Sequence, residues 1–130
     1  MKLIFLVLLI FIGCSDKIIS TKSGLQYQIL EKGSGIQAQA GDEVFIYETT
    51  SYRDGTVLYS NYDSSSPVKV LIGGNQATAA VDEGLRGMRV GEVRKLIAPP
   101  DLVKRTSYPE NVSPDSILII KMKLDRVERK

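Results

Sequence analysis

The chain has 130 residues, a length that suits one domain. Its 17 basic and 15 acidic residues leave a net charge of +2, which is too balanced for a nucleic-acid-binding surface. Histidine is absent, which excludes a histidine general base, the Ser-His-Asp and Cys-His catalytic sites and nearly every common zinc site. The single cysteine cannot form an internal disulfide.

The amino-terminal segment is strongly apolar. Residues 3–12 (LIFLVLLIFI) form an unbroken apolar run of ten residues, and Gly13-Cys14 follows it. As a helix this run rises only about 15 Å, half of the roughly 30 Å hydrocarbon core, so it favours a secretory signal peptide over a membrane span. The segment resembles a bacterial lipoprotein signal, although Phe11 stands where leucine is usual. The alternatives are an ordinary signal peptide with a coincidental cysteine, or an uncleaved signal anchor.

The lipoprotein interpretation divides the chain into three parts. We expect a signal peptide over residues 1–13, a lipidated Cys14 with a polar tether over residues 14–23, and one domain over residues 24–128. It also predicts that the domain lies outside the cytoplasm, anchored through Cys14 to a membrane of the bacterial cell envelope.

Six segments of the body alternate or are rich in β-branched and aromatic residues, and turn signals such as Asp54-Gly55 separate them. They predict short strands near residues 25–29, 43–50, 56–59, 68–72, 92–98 and 117–124. One helix is predicted over residues 78–88, where Val81, Leu85 and Met88 fall on one face. Because most connections are too short for parallel crossovers, an α+β domain follows: an antiparallel sheet of five or six strands curled over one short helix.

A series of short motifs resembles the FKBP-type peptidyl-prolyl cis-trans isomerases in order and spacing. The motifs are Ser23-Gly24-Leu25-Gln26-Tyr27, Gly41-Asp42, Asp54-Gly55-Thr56-Val57, Glu83-Gly84-Leu85, Met88-Arg89-Val90-Gly91-Glu92, Pro99-Pro100-Asp101-Leu102 and Val112-Ser113-Pro114-Asp115-Ser116-Ile117-Leu118. The resemblance runs from about Gly24 to Val127. It implies an FKBP-like fold and rotation of X-Pro bonds between cis and trans, for which no nucleophile, metal or cofactor is needed.

The resemblance also implies a substrate pocket, whose aromatic side chains this chain has largely replaced. The floor tryptophan of the family falls at Val81 and the strand tyrosine at Glu48. The Thr78 N–H would be the donor that holds a substrate carbonyl. The other pocket positions are Leu58, Val68 and Ile120 for the wall phenylalanines, Tyr59 for an aspartate, Ala77 before Thr78, Lys104 for the loop tyrosine, and Val112 (or Asn111) for the isoleucine opposite it.

These departures predict a wider and wetter pocket and therefore weak isomerisation. We expect a lipid-anchored folding assistant that acts on proline-containing polypeptides as a monomer. The alternative is a non-catalytic FKBP-like module that binds a peptide or an unidentified protein partner. In the family, the strand tyrosine donates a hydrogen bond to the aspartate. Here Glu48 and Tyr59 exchange these two roles, which predicts that the Tyr59 hydroxyl donates to the Glu48 carboxylate.

Overall fold

The computed structural model describes residues 17–64 and 66–129. The predicted signal peptide and the lipidation of Cys14 lie outside the described residues. Within the described ranges, no helix has the length and apolar character needed to cross a membrane.

The described chain forms one curved sheet and one short α-helix. The strands are β1 (Ile19–Ser20), β2 (Gln26–Glu31), β3 (Glu43–Ser51), β4 (Val57–Ser60), β5 (Val68–Leu71), β6 (Val93–Ala98) and β7 (Leu118–Glu128), and the helix is α1 (Ala79–Leu85). The sheet order is β1-β2-β6-β7-β3-β4, with β5 also paired to β3, and every pairing is antiparallel. The predicted α+β class is confirmed, with a sheet of seven strands rather than five or six.

The extra strand lies inside the segment predicted as a tether. Ile19 pairs with Tyr27 and Ser20 with Gln26, and a turn closed by the Gly24 N–H on the Thr21 carbonyl joins the two strands. A two-residue strand is too short to show an alternating pattern, which is why the sequence did not indicate it. The sheet therefore begins before residue 24.

Strand β7 is the centre of the sheet and carries much of the core. Leu118, Ile120, Met122 and Leu124 are all buried, while Lys121 and Lys123 point outward, as the alternation predicts. The strand runs on to Glu128, beyond the predicted end at residue 124, after a bulge where β3 shifts register between Phe45 and Ile46. Its inner-face side chains lie in the same hydrophobic core as Val81 and Leu85 of α1.

Helix α1 is shorter than predicted. It ends at Leu85 because Arg86 is extended and Gly87 has a φ of 85°, a conformation that glycine adopts without strain. Met88 is still buried, but from the turn that follows the helix. Gly84 allows the helix to approach the sheet closely, since a Cβ there would lie 2.6 Å from the Leu96 Cδ1 atom.

A buried ion pair at the start of β6 supports the carboxyl end of α1. Arg94 Nε lies 2.7 Å from Glu92 Oε2, and both side chains are buried. Arg94 also donates to the carbonyl of Gly84 at 3.3 Å and lies over the Tyr27 ring, 4.4 Å from its centroid. A cation beneath the last carbonyls of a helix is favoured by the helix dipole, so this pair holds the carboxyl end of α1 on the sheet.

A second ion pair closes the carboxyl end of the chain. Arg129 donates to both carboxylate oxygens of Asp42 at 2.8 Å, and the Gln39 N–H donates to the same carboxylate at 2.9 Å. These contacts hold the pKa of Asp42 below its ordinary value of 3.8, the hydrogen bond from Arg129 being the largest cause. Arg129 lies one residue past the predicted end of the domain, so the folded part includes it.

Candidate functional site

A cavity of about 700 Å³ opens on the concave side of the sheet. The amino end of α1 forms its floor, strands β3, β4, β5 and β7 form its walls, and residues 103–112 form one rim. The structure brings all ten residues predicted for a substrate pocket to this cavity: Glu48, Leu58, Tyr59, Val68, Ala77, Thr78, Val81, Lys104, Val112 and Ile120. Its volume lies within the range of about 300–1,000 Å³ that is usual for small-ligand sites.

The inner part of the cavity is apolar and lacks aromatic rings. Val81 on the floor and Ile120 and Leu118 on the wall are buried, with exposed fractions of 2 to 6%. Val68 and Tyr59 lie on the rim, where they are 43% and 47% exposed. The cavity therefore offers a ligand a buried aliphatic base and a partly exposed entrance.

Glu48 brings a carboxylate into this apolar surrounding. Strand β3 turns Val44, Ile46 and Glu48 to the same side, so the side chain points inward as the alternation predicts. Its Oε1 atom accepts a hydrogen bond from the Thr50 hydroxyl at 3.0 Å. Burial raises the pKa of Glu48, because the charged form loses its hydration, and the Thr50 hydrogen bond and the nearby Arg105 charge oppose the shift only in part.

The predicted hydrogen bond between Tyr59 and Glu48 is wrong. Among the described residues, Glu48 receives its side-chain hydrogen bond from Thr50 and none from Tyr59. The strand register explains this difference, because Tyr59 pairs with Thr50 across β3 and β4 and not with Glu48. The Thr50 hydroxyl is therefore the donor at hand, and the half-exposed Tyr59 stays at the rim.

Asn61 holds the backbone of Glu48 in place through its side-chain amide, a role that the sequence pattern did not predict. Its Oδ1 atom accepts from the Glu48 N–H at 2.6 Å and its Nδ2 atom donates to the Ile46 carbonyl at 3.1 Å. The side chain is buried, and it supplies these backbone groups with partners between the parts of β3 that pair with β4 and β5. Asn61 stands in a polar loop, where nothing in the local pattern separates it from its solvated neighbours.

Tyr52 anchors the end of the rim loop, and its sequence context did not predict this role either. Its hydroxyl donates to the Asn111 carbonyl and accepts from the Ser113 N–H, both at 2.8 Å. Asn111 in turn donates through Nδ2 to the Leu58 carbonyl of β4 at 3.2 Å. These bonds tie the loop that carries Lys104 and Val112 to the wall of the cavity.

Thr78 presents a donor at the amino end of α1. Its carbonyl accepts from the Asp82 N–H at 3.0 Å, as the first bond of the helix, but no described residue accepts from its own N–H. Its hydroxyl is buried without a partner among the described residues. The N–H is therefore available to a carbonyl group in the cavity. No group of three or more acidic or cysteine side chains that could hold a metal occurs between residues 17 and 129, residue 65 aside.

The chain is similar to FK506-binding proteins in sequence and to an FkpA structure in fold. It is 33% identical over 87 residues to mouse peptidyl-prolyl cis-trans isomerase FKBP10, covering 67% of this chain but only 15% of that protein. It is 30% identical over 114 residues to FK506-binding protein 2 of Yarrowia lipolytica, covering 87% of this chain and 79% of that one. The crystal structure of FkpA from Escherichia coli superimposes with a TM-score of 0.77 and 24% identity, over 88% of this chain and 53% of that one.

The family profile gives the same assignment over most of the domain. The profile of the FKBP-type peptidyl-prolyl cis-trans isomerases matches residues 34–125, which include β3 to β6, α1, the cavity and most of β7. The fold, the motif order and the sequence relatives agree with it. The chain therefore belongs to the FKBP-type peptidyl-prolyl cis-trans isomerase family.

Proposed function

We propose that this protein binds proline-containing polypeptides in the cavity and catalyses their cis-trans isomerisation weakly. The observation that carries the proposal is the cavity itself, in which an aliphatic floor at Val81 lies beside the Thr78 N–H, a donor for which no described residue is an acceptor. Rotation about an X-Pro bond breaks amide resonance and has an uncatalysed barrier of about 18–20 kcal/mol. A dry apolar site favours the twisted amide, which has lost charge separation, and the Thr78 N–H can hold a neighbouring carbonyl.

The weakness of the activity follows from what lines the cavity. An aromatic side chain offers about 150–250 Å² of surface, and the valine at position 81 offers much less. Glu48 also keeps water and charge near the place where dryness stabilises the twisted amide. Each loss of about 1.4 kcal/mol in transition-state stabilisation costs a factor of ten in rate. We expect a rate several tens-fold below that of a family member with an aromatic pocket.

A peptide isomerisation assay tests this proposal. Exchange between the cis and trans forms of Leu-Pro and Phe-Pro peptides is measured by NMR with the full chain held in neutral nanodiscs, beside an aromatic-pocket family member at equal concentration. Slow but enzyme-dependent exchange supports the proposal. Exchange at the rate of the reference protein would contradict the predicted weakness, and peptide binding without any exchange would favour the alternative function.

That alternative is a non-catalytic module that binds a peptide or a protein partner. The observation in its favour is the Glu48 carboxylate, which lies in the cavity and receives only one side-chain hydrogen bond from the described residues. A charge in an apolar site is costly unless a ligand compensates it, which suits recognition better than catalysis.

The cellular setting is part of the same proposal. The apolar run over residues 3–12 and the only cysteine of the chain at position 14 support a lipid-anchored monomer in the bacterial cell envelope, with its domain outside the cytoplasm. Cys14→Ser should abolish lipid attachment, which metabolic labelling with a fatty acid and membrane fractionation would detect. A variant that is cleaved and stays in the membrane like the wild type would contradict the anchor.

A further inference from the structure

The Glu48 carboxylate forms no ion pair with a described residue, and the charge of Arg105 acts on it only from beyond ion-pair distance. Five ion pairs occur among the described residues, and none of them includes Glu48. A carboxylate offers about four acceptor positions, and the Thr50 hydroxyl occupies one of them. Glu48 therefore differs from the buried Asp42 and Glu92, each of which has an arginine within 2.8 Å.

The place of this carboxylate makes a cation a fitting ligand. Glu48 lies in a cavity whose inner wall is aliphatic, including Ile120, Val70 and Leu118. Charges in such surroundings attract each other more strongly than charges in water. Burial also raises the pKa of Glu48, which reports the cost of keeping that carboxylate charged without a partner. A positive group that enters the cavity would offset part of that cost through its attraction to the carboxylate, against the loss of its own hydration.

We propose that the cavity selects prolyl segments with a basic residue next to the proline, whose side chain forms an ion pair with Glu48. This inference rests on the proposed function, because it names the substrate class of the same site. The cavity of about 700 Å³ can hold a proline ring on the Val81 floor and one long side chain beside it. The aliphatic stem of a lysine or arginine would pack on the apolar wall while its head reaches the carboxylate.

The charges on the rim restrict this preference further. Lys104 and Arg105 are exposed, and neither lies within 4.0 Å of a Glu48 oxygen. They would repel a second basic residue at the entrance and attract an acidic one. Because water and salt screen exposed charges, they weaken the attraction of Glu48 for a cation only modestly. The favoured segment thus has a single basic residue beside proline and neutral or acidic residues further along.

A peptide series with matched variants tests the inference. Three fluorescent peptides differ only in the residue that precedes the proline, which is lysine, norleucine or glutamate. Their affinities for the full chain in phosphatidylcholine nanodiscs are measured by fluorescence anisotropy. We expect the lysine peptide to bind about tenfold more tightly than the norleucine peptide. Glu48→Gln should abolish that difference, and it should fold at least as well as the wild type because it removes an unpaired charge. The control Glu110→Gln changes an exposed carboxylate outside the cavity lining and should keep the difference.

The outcomes separate this inference from the proposed function. Equal affinities for lysine and norleucine in the wild type, or a lysine preference that survives Glu48→Gln, would overturn it. Isomerisation of Leu-Pro peptides without a lysine preference overturns the inference and leaves the proposed function intact. A lysine preference that depends on Glu48, without any isomerisation, supports the inference and removes the catalytic half of the proposal. Binding of none of the peptides overturns both.

Discussion

Replacing Val81 by tryptophan tests whether the missing aromatic floor limits catalysis. Val81 is 6% exposed and lies beneath a cavity of about 700 Å³, so a larger side chain has room above it. A tryptophan would present a proline ring with on the order of 50–100 Å² of additional apolar surface. At about 25 cal/mol per Å² this area is worth roughly 1.2–2.5 kcal/mol. If that energy acts in the transition state, kcat/KM should rise roughly ten- to seventyfold.

The assay is NMR exchange on a Leu-Pro peptide across a range of peptide concentrations, which separates kcat from KM. A rise in kcat/KM through kcat means that the ring stabilises the twisted amide, and a fall in KM alone means that it binds both states equally. The control Val127→Trp adds the same ring at a half-buried site outside the cavity lining and should leave the rate unchanged. A Val81→Trp variant that keeps its thermal midpoint and shows the wild-type rate would refute the reasoning, and would indicate that the Thr78 N–H and the curved sheet matter more than the floor.

Three further predictions concern the contacts that hold the site. Arg94→Met should lower the free energy of unfolding by about 3–5 kcal/mol in urea titrations, because it leaves the Glu92 carboxylate buried without its partner. Adding Glu92→Leu should recover most of the lost stability, and a double variant without recovery would contradict this explanation. The pKa of Asp42 is lowered in the folded state, so its carboxylate stabilises the fold above its ordinary pKa, and this stability is lost as the pH falls through the lowered value. The thermal midpoint of the wild type should therefore drop more steeply from about pH 5 to about pH 2 than that of Asp42→Asn. Parallel curves for the two proteins would disprove the assignment. Tyr52→Phe should speed hydrogen exchange at the Ser113 amide and cost about 0.5–1.5 kcal/mol of stability, because both lost hydrogen bonds are exposed to water. Unchanged exchange would show that the rim loop is held by other contacts.

The sequence alone predicted the class of the fold and ten of the residues that line the cavity. Alternation in strands such as β3 and β7, together with the helical spacing of Val81 and Leu85, is a local property of the chain, and it predicts which faces are buried. The order of the motifs then indicated the family, and the register carried from them placed ten residues around one cavity. The helix end was misplaced because Gly87 acts through its backbone conformation, which the apolar spacing does not report.

Only the tertiary structure decided which polar groups meet. Asn61 reaches Glu48 from 13 positions away, and Arg129 reaches Asp42 across 87 positions, distances over which a local pattern carries no information. The same limit explains the failed hydrogen bond between Tyr59 and Glu48, because the pairing register of β3 and β4 set Tyr59 opposite Thr50. Periodicity depends on the backbone repeat of a single element, whereas a hydrogen bond between elements depends on where the whole sheet brings them, and that is settled only when the core packs.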